Sequence, residues 1–334
     1  MGHAVVTGSR GFLGVHLVDA LAARGDTVTA LDIEAKGAAH PNVTHVAVDL
    51  RDAAAVQKAI AGADTVFHAA SRVQTQRHGR EEVFAVNVGG TRNVLAACRQ
   101  EKVQRLVYVS SASVVYDGKD LENGDERLPY PTSFHAPYAE TKATAEREVL
   151  AANGEGGVFT CSVRPHVVFG PGDGRFLPAV LERAKSGKLK AYVGDATKLS
   201  DFTFIDNLVH GLLLAQKHLA DGGAAGGQAY FITNGRPLAF WEFVGRFLDG
   251  LGYKRPTFRV PFSIAYGAAG VRETIDSWRG RQTPEAGFTR FSIRYLTTHH
   301  YFSIAKAKKD LGYEPIVDLE EGILRTIKAL KAQA

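Results

Sequence analysis

The run His3-Ala4-Val5-Val6-Thr7-Gly8-Ser9-Arg10-Gly11-Phe12-Leu13-Gly14 decides the fold. A short apolar strand ends at a turn with glycines spaced Gly8-x-x-Gly11-x-x-Gly14, and an amphipathic helix follows from Gly11 to about Arg24. Such a turn lets backbone amides and a helix N-terminus approach a pyrophosphate, whose charge the positive end of the helix dipole favours. A glycine triplet alone is a weak signal, because glycine also marks ordinary turns. Here it closes the first strand of a βαβ unit, and Asp32 stands eighteen residues beyond Gly14, closing a second strand, Thr27 to Leu31. That combination predicts a dinucleotide site.

Working outward, Val43 to Val48 reads as a third strand before Asp49, and Asp52 to Ile60 as a short helix. Asp64 to His68 is a fourth strand. A long helix, Glu82 to Arg99, leads to a fifth strand, Arg105 to Val109, which ends at Ser110-Ser111. This alternation predicts an α/β, Rossmann-type doubly wound parallel sheet with helices on both faces. Ligands of such sheets bind at the carboxyl ends of the strands, where the Gly8 turn, Asp32, Asp49, His68-Ala69-Ala70 and Ser110-Ser111 all fall. A helix from Tyr138 to about Ala152 and a strand from Phe159 to Arg164 follow. Residues 1–170, with returning segments at 200–235, are expected to form the dinucleotide-binding domain. Residues 171–334 are expected to form mainly a smaller, substrate-binding C-terminal lobe.

The chain has 334 residues, 45% hydrophobic and 22% charged, which suits one large core with an appended lobe. Lys and Arg number 40 against 35 Asp and Glu, a modest and scattered excess that predicts no nucleic-acid partner. No stretch reaches the ~18 consecutive apolar residues of a membrane-spanning helix, so at most peripheral membrane contact is expected. A strand begins within three residues of the start, leaving no room for a signal peptide, and a cytoplasmic location is expected. Cys98 and Cys161, each in an apolar run, are expected to be buried reduced thiols. His68, His135, His166 and His210 lack the spacing of a zinc site, so no metal is expected. His166, in the loop after the sixth strand, is retained as a substrate-contact candidate.

The candidate catalytic residues are Ser111, Tyr138 and Lys142. Tyr-x-x-x-Lys on a helix places both side chains on one face. A phenol ordinarily ionises near pH ~10, and a cation beside it favours the phenolate. Such a tyrosine takes the proton of an alcohol while hydride leaves the same carbon, and Ser111, or its neighbour Ser110, donates to the substrate oxygen. The cofactor set comprises Gly8, Arg10, Gly11, Phe12, Leu13 and Gly14 in the turn, Asp32, Asp49 with Leu50, Ala69, Ala70, Ser110, Tyr138 and Lys142. Asp32 would accept both adenosine ribose hydroxyls and repel a 2′-phosphate, which argues for NAD; Arg10 argues mildly for NADP. Asp49 is read either as an adenine contact or as a helix cap. Asn87, on a helix beneath the site, is read as an anchor for backbone or water, or as a capping or core residue.

Several stretches resemble the extended short-chain dehydrogenases, in the 3β-hydroxysteroid dehydrogenase branch, nearest to the sterol-4α-carboxylate 3-dehydrogenases (decarboxylating). They are Val6-Thr7-Gly8 through Gly14, Val66-Phe67-His68-Ala69-Ala70-Ser71, Ser110-Ser111-Ala112-Ser113-Val114 and Tyr138-Ala139-Glu140-Thr141-Lys142. Arg164-Pro165-His166, Phe169-Gly170-Pro171, Asp201-Phe202-Thr203-Phe204-Ile205, Ile232-Thr233-Asn234 and Ala307-Lys308-Lys309-Asp310-Leu311-Gly312-Tyr313 complete the likeness. The resemblance implies an NAD(P)-dependent oxidoreductase that oxidises a 3β-hydroxyl on a sterol-like substrate, with decarboxylation of a 4-carboxysterol. It implies that Lys142 holds the nicotinamide ribose and that Pro165 abuts the carboxamide. Where the eukaryotic sterol enzymes have a hydrophobic membrane segment, Gly267 to Thr298 carries Arg272, Glu273, Asp276, Arg279, Arg281 and Arg290. That departure brings the chain nearer the bacterial 2-alkyl-3-oxoalkanoate (β-keto acid) reductases of long-chain olefin synthesis.

A nucleotide-sugar epimerase or dehydratase is a third reading. The apolar Trp241, Phe243, Phe247, Phe258, Phe262 and Tyr266 weigh against its polar substrate, unless they are core. A non-catalytic NAD-sensing protein is a fourth, opposed by the intact Tyr138 and Lys142. A homodimer through the helices at Glu82 to Arg99 and Tyr138 to Ala152 is expected from the superfamily, and the partner of the site is expected to be a hydrophobic small molecule.

Overall fold

The computed structural model describes residues 2–73, 80–174, 176–220, 222–279 and 289–333. Seven parallel strands form the central sheet, in the order Ala229–Ile232, Phe159–Pro165, Arg105–Val109, Thr65–His68, His3–Thr7, Thr27–Asp32, Val43–Ala47. Successive side chains of a strand point to opposite faces, and each face here meets helices. Val6, Phe67 and Val107 pack with Leu17, Leu21, Leu208 and Leu212 on one side. Val5, Val66 and Leu106 pack with Val94, Leu95, Cys98 and Val149 on the other. Both cysteines are buried, and burial pushes each thiol up to about 12, which keeps them protonated and unreactive.

The strand order reverses beside His3–Thr7, whose neighbours are Thr27–Asp32 and Thr65–His68. A crevice opens at such a reversal. Gly8 leaves the first strand at φ +71°, and a Cβ there would lie 2.7 Å from the Cα of Ala70, at the end of the neighbouring strand. Gly14 packs closer still, since its Cβ would stand 2.1 Å from the Gly8 carbonyl oxygen. The helix Phe12–Ala23 therefore starts hard against the turn.

The long helix expected from Glu82 to Arg99 is instead three pieces: Arg80–Phe84, a π-helical turn Ala85–Gly89, and Gly90–Gln100. Asn87 sits in the π-turn, buried. Asp52, rather than Asp49, caps the helix Ala53–Ile60 by accepting from the Ala55 amide.

The C-terminal part builds a second core from Phe169, Phe202, Phe204, Phe243, Phe247 and Ile323. Phe202 and Phe243 stack at 3.6 Å. Phe243 and Phe247 are thus core residues that carry no information about a substrate. Phe258 and Phe262 face outward instead. The stretch after Pro261 forms the helices Phe262–Trp278 and Arg290–Leu296; Arg281 lies outside the described residues. No helix among the described residues is long and apolar enough to cross a membrane.

Candidate active site

A cleft of about 1090 Å³ runs along the carboxyl ends of the strands. Gly8, Arg10, Gly11, Phe12, Leu13, Gly14, Asp32, Asp49, Leu50, Ala69, Ala70, Ser110, Tyr138 and Pro165 all line it. Neither Lys142 nor Ser111 is a lining residue; Lys142 donates to the carbonyl of Val109, which is one, and Ser111 follows Ser110, which is another. Asp32 holds the turn as well as facing the cleft, since its carboxylate accepts from the amides of Arg10 at 2.9 Å and Ile33 at 2.8 Å. A carboxylate has about four lone-pair sites, so acceptor capacity remains for ribose hydroxyls.

The cations at this end are already engaged. Arg10 pairs with Glu34 at 3.0 Å, and Arg51 forks onto Asp49, donating from Nε at 3.0 Å. That hydrogen bond from Arg51 holds the Asp49 carboxyl below the usual range.

The backbone ends of the strands are fixed by buried polar side chains. His68 bridges Thr7 and Thr91, at 2.7 and 2.9 Å. Burial, with the nearby Lys142 charge, pulls it down to about 3, so it is a neutral strut. Asn87 accepts from the Arg72 amide at 2.7 Å and donates to the Arg72 carbonyl at 2.9 Å and to Thr141 Oγ1 at 3.0 Å. It ties the loop after the fourth strand to the helix Pro137–Ala151, which carries Tyr138 and Lys142. Of the roles left open for it, these bonds are those of a backbone anchor.

Tyr138 and Lys142 occupy successive turns of that helix. Pro137 stands at its first position, where a missing N–H is no loss. Lys142 is 1% exposed. Its Nζ donates to the Val109 carbonyl and lies 4.1 Å from the centroid of the Tyr108 ring. Burial pulls the ammonium down to about 7, with the Glu146 carboxylate opposing.

Ser111 caps the short 3-10 helix Ala112–Val115. Its Oγ accepts from the Ser113 amide at 3.2 Å and from Ser113 Oγ at 2.9 Å. With both lone pairs engaged, its own O–H is left to donate. Sequence reasoning missed Ser113; a hydroxyl two residues after a candidate donor is the signal that could have found it.

His166 does not reach a substrate. It is 2% exposed and both ring nitrogens are taken. Nδ1 faces the Asp201 carbonyl at 2.8 Å and must donate to it, so Nε2 accepts from the Tyr295 hydroxyl at 2.7 Å. Burial lowers the ring to about 4. Around it gather Tyr116, Tyr295, His300 and Phe302. Burial keeps the Tyr295 phenol protonated, and the Tyr116 ring meets it edge-on at 5.0 Å.

The lobe's charges mostly pair with each other: Arg272 with Asp276 at 3.5 Å, and Arg290 with Glu273 at 2.8 Å. Arg294 has no carboxylate partner among the described residues. It makes long contacts to the Gly118 carbonyl (3.4 Å) and the Tyr266 hydroxyl (3.5 Å), and its charge bears on Tyr116. Of the histidines considered for metal binding, His135 meets the Asp117 carbonyl at 2.9 Å and His210 lies beside Tyr313.

A glycine cradle that any Cβ would fill and a carboxylate with spare acceptors beside it fit a dinucleotide. Comparison with known proteins agrees. The family model of the 3-beta hydroxysteroid dehydrogenase/isomerase family matches residues 5–262. The chain is 40% identical over 326 residues to a sterol-4-alpha-carboxylate 3-dehydrogenase, decarboxylating, of Mus musculus, covering 97% of this chain and 90% of that protein. It is also 40% identical to a 3-beta-hydroxysteroid dehydrogenase of Mycolicibacterium neoaurum, with the same two coverages. In structure it resembles a dTDP-glucose 4,6-dehydratase of Streptomyces venezuelae solved with NAD bound. The TM-score is 0.77 at 23% identity, over 99% of this chain and 97% of that one. With its parallel seven-stranded sheet and its match over most of the sequence, the chain belongs to the 3-beta hydroxysteroid dehydrogenase/isomerase family.

Proposed function

We propose that the protein oxidises the 3β-hydroxyl of a sterol-like substrate with NAD, and that a 4-carboxylate on that substrate is then lost as carbon dioxide. The observation that carries this is Tyr138 on the wall of the nucleotide cleft, with the buried Lys142 one helical turn further along, in a chain of this family. NAD, when bound, supplies the hydride acceptor. Tyr138 takes the hydroxyl proton, the Ser111 O–H donates to the substrate oxygen, and the positive charge of Lys142 favours the phenolate. Pro165 and Ser110 close the cleft beside Tyr138. Once the 3-ketone forms, a carboxylate β to it can leave as carbon dioxide, because the ketone accepts the electron pair.

Arg294 is our candidate to hold that carboxylate: it has no carboxylate partner among the described residues, and its charge bears on Tyr116. Asp32, together with the engaged Arg10 and Arg51, supports NAD over NADP. Ile264, Val271, Ile275 and Trp278 lie outward along one stripe of the helix Phe262–Trp278. That stripe supports peripheral contact with a lipid surface, from which a cytoplasmic enzyme could take a sterol. A homodimer through the helices Gly90–Gln100 and Pro137–Ala151 completes the reading.

The test follows NADH fluorescence with 3β-hydroxysterols, 4-carboxy-3β-hydroxysterols, long-chain β-hydroxy acids and sugar nucleotides. Turnover and carbon dioxide release are expected with the 4-carboxysterols. Turnover confined to β-hydroxy acids, with preference for the phosphorylated cofactor, would replace this reading with a 2-alkyl-3-keto acid reductase.

A further inference from the structure

We propose that Glu146 is a positioning residue for proton transfer: its buried carboxylate, one helical turn beyond Lys142, keeps that lysine charged. The proposal rests on the Tyr138–Lys142 reading given above.

Burying an ammonium group without a counter-charge disfavours its charged form. The atoms nearest Lys142 Nζ are the neutral Val109 carbonyl and the face of Tyr108. The surrounding titratable groups are few. Tyr138 and Glu146 lie on its own helix, Tyr108 on the fifth strand, His68 on the fourth and Arg164 on the strand Phe159–Pro165. Burial keeps the Tyr108 phenol protonated, and His68 is neutral. Glu146 is the anion among them, on the same helix face as Lys142 because four residues separate the two.

The site is built to keep Glu146 ionised. Arg164 donates to it from Nε at 3.0 Å and Nη2 at 2.7 Å, Ser162 Oγ at 2.6 Å and the Tyr130 hydroxyl at 2.8 Å. Burial would raise this carboxyl, but the charge and hydrogen bonds of Arg164 hold it below the usual range. The Glu146 side chain is fully buried and that of Arg164 nearly so. An ion pair buried this deeply is weak as a device for stability. One helical turn from Lys142 it has a use. The carboxylate offsets the burial that pulls the lysine toward neutrality, and so preserves the cation that Tyr138 needs.

The pH profile of kcat/KM for sterol oxidation tests this. With Glu146→Gln, activity near pH 7 is expected to fall about tenfold and to converge on wild type above about pH 9, as the acid limb moves up by about one unit. NAD affinity should stay within a few-fold. Because Glu146→Gln strands a buried guanidinium, Glu146→Gln/Arg164→Met is measured as well and should show the same alkaline shift. Glu146→Asp, which keeps the charge, should keep the wild-type limb. An equal loss at every pH, or a wild-type profile in the double variant, would overturn the proposal. The underlying reading fails differently: Tyr138→Phe would turn over normally, whatever Glu146 does.

Discussion

Asn87 and Arg294 belong to two regions held together in different ways. Around Asn87, at the carboxyl ends of the sheet, buried polar side chains are matched to fixed partners: Thr7 with His68 and Thr91, Asn87 with Arg72 and Thr141, Glu146 with Arg164. Around Arg294, in the lobe, the charges lie near the surface and apolar side chains face outward, with Trp278 95% exposed. On the proposed reading the first region has one geometry to preserve, because a dinucleotide and a proton-transferring phenol must meet to within fractions of an ångström. The second has only to admit and orient a hydrophobic body, and variation there changes the substrate while leaving the chemistry alone.

The sharpest way to break this contrast is Gly14→Ala. Its Cβ would lie 2.1 Å from the Gly8 carbonyl oxygen, so the turn must open. Loss of measurable NAD binding by titration calorimetry is expected, with stability lowered by ~1–3 kcal/mol. Unchanged binding would mean that the turn does not hold the nucleotide. In the lobe a smaller and more selective effect is expected. Arg294→Gln should raise KM for a 4-carboxysterol by about 10- to 100-fold, the worth of a hydrogen bond to a charged group at ~1.5–3 kcal/mol. The same variant should leave NAD affinity, and KM for a 3β-hydroxysterol without the carboxylate, within about twofold. Equal loss on both sterols would mean that Arg294 packs the lobe and does not read the carboxylate.

The same contrast governs what the sequence reveals. The glycine spacing, Asp32 and the Tyr138–Lys142 interval are legible because local backbone geometry fixes them: a turn, a strand end and one turn of helix. The parallel sheet follows from its alternating elements in the same way. What depends on contacts across the chain is not legible. The π-turn at Ala85–Gly89 exists where Asn87 reaches Arg72 and Thr141, and no spacing announces it. His166 resembles a substrate contact in sequence, yet packing turns it onto Asp201 and Tyr295. Phe243 and Phe247 read equally well as pocket or core, and only the stacking of Phe243 on Phe202 and the edge-on packing of Phe247 against Phe169 decide for core. Among the lobe's arginines, only the fold shows that Arg272 and Arg290 already have acids and that the Arg294 charge bears on Tyr116.

The central claim is that the Tyr138 phenol carries the proton of the oxidised alcohol. Tyr138→Phe removes that oxygen alone, and single-turnover NADH formation at saturating NAD and 4-carboxysterol reads the result. The account predicts a rate at least about a hundredfold lower, within the ~10²–10⁴-fold range of general-base catalysis, with NAD affinity unchanged within a few-fold. A near-wild-type rate in that variant would contradict it.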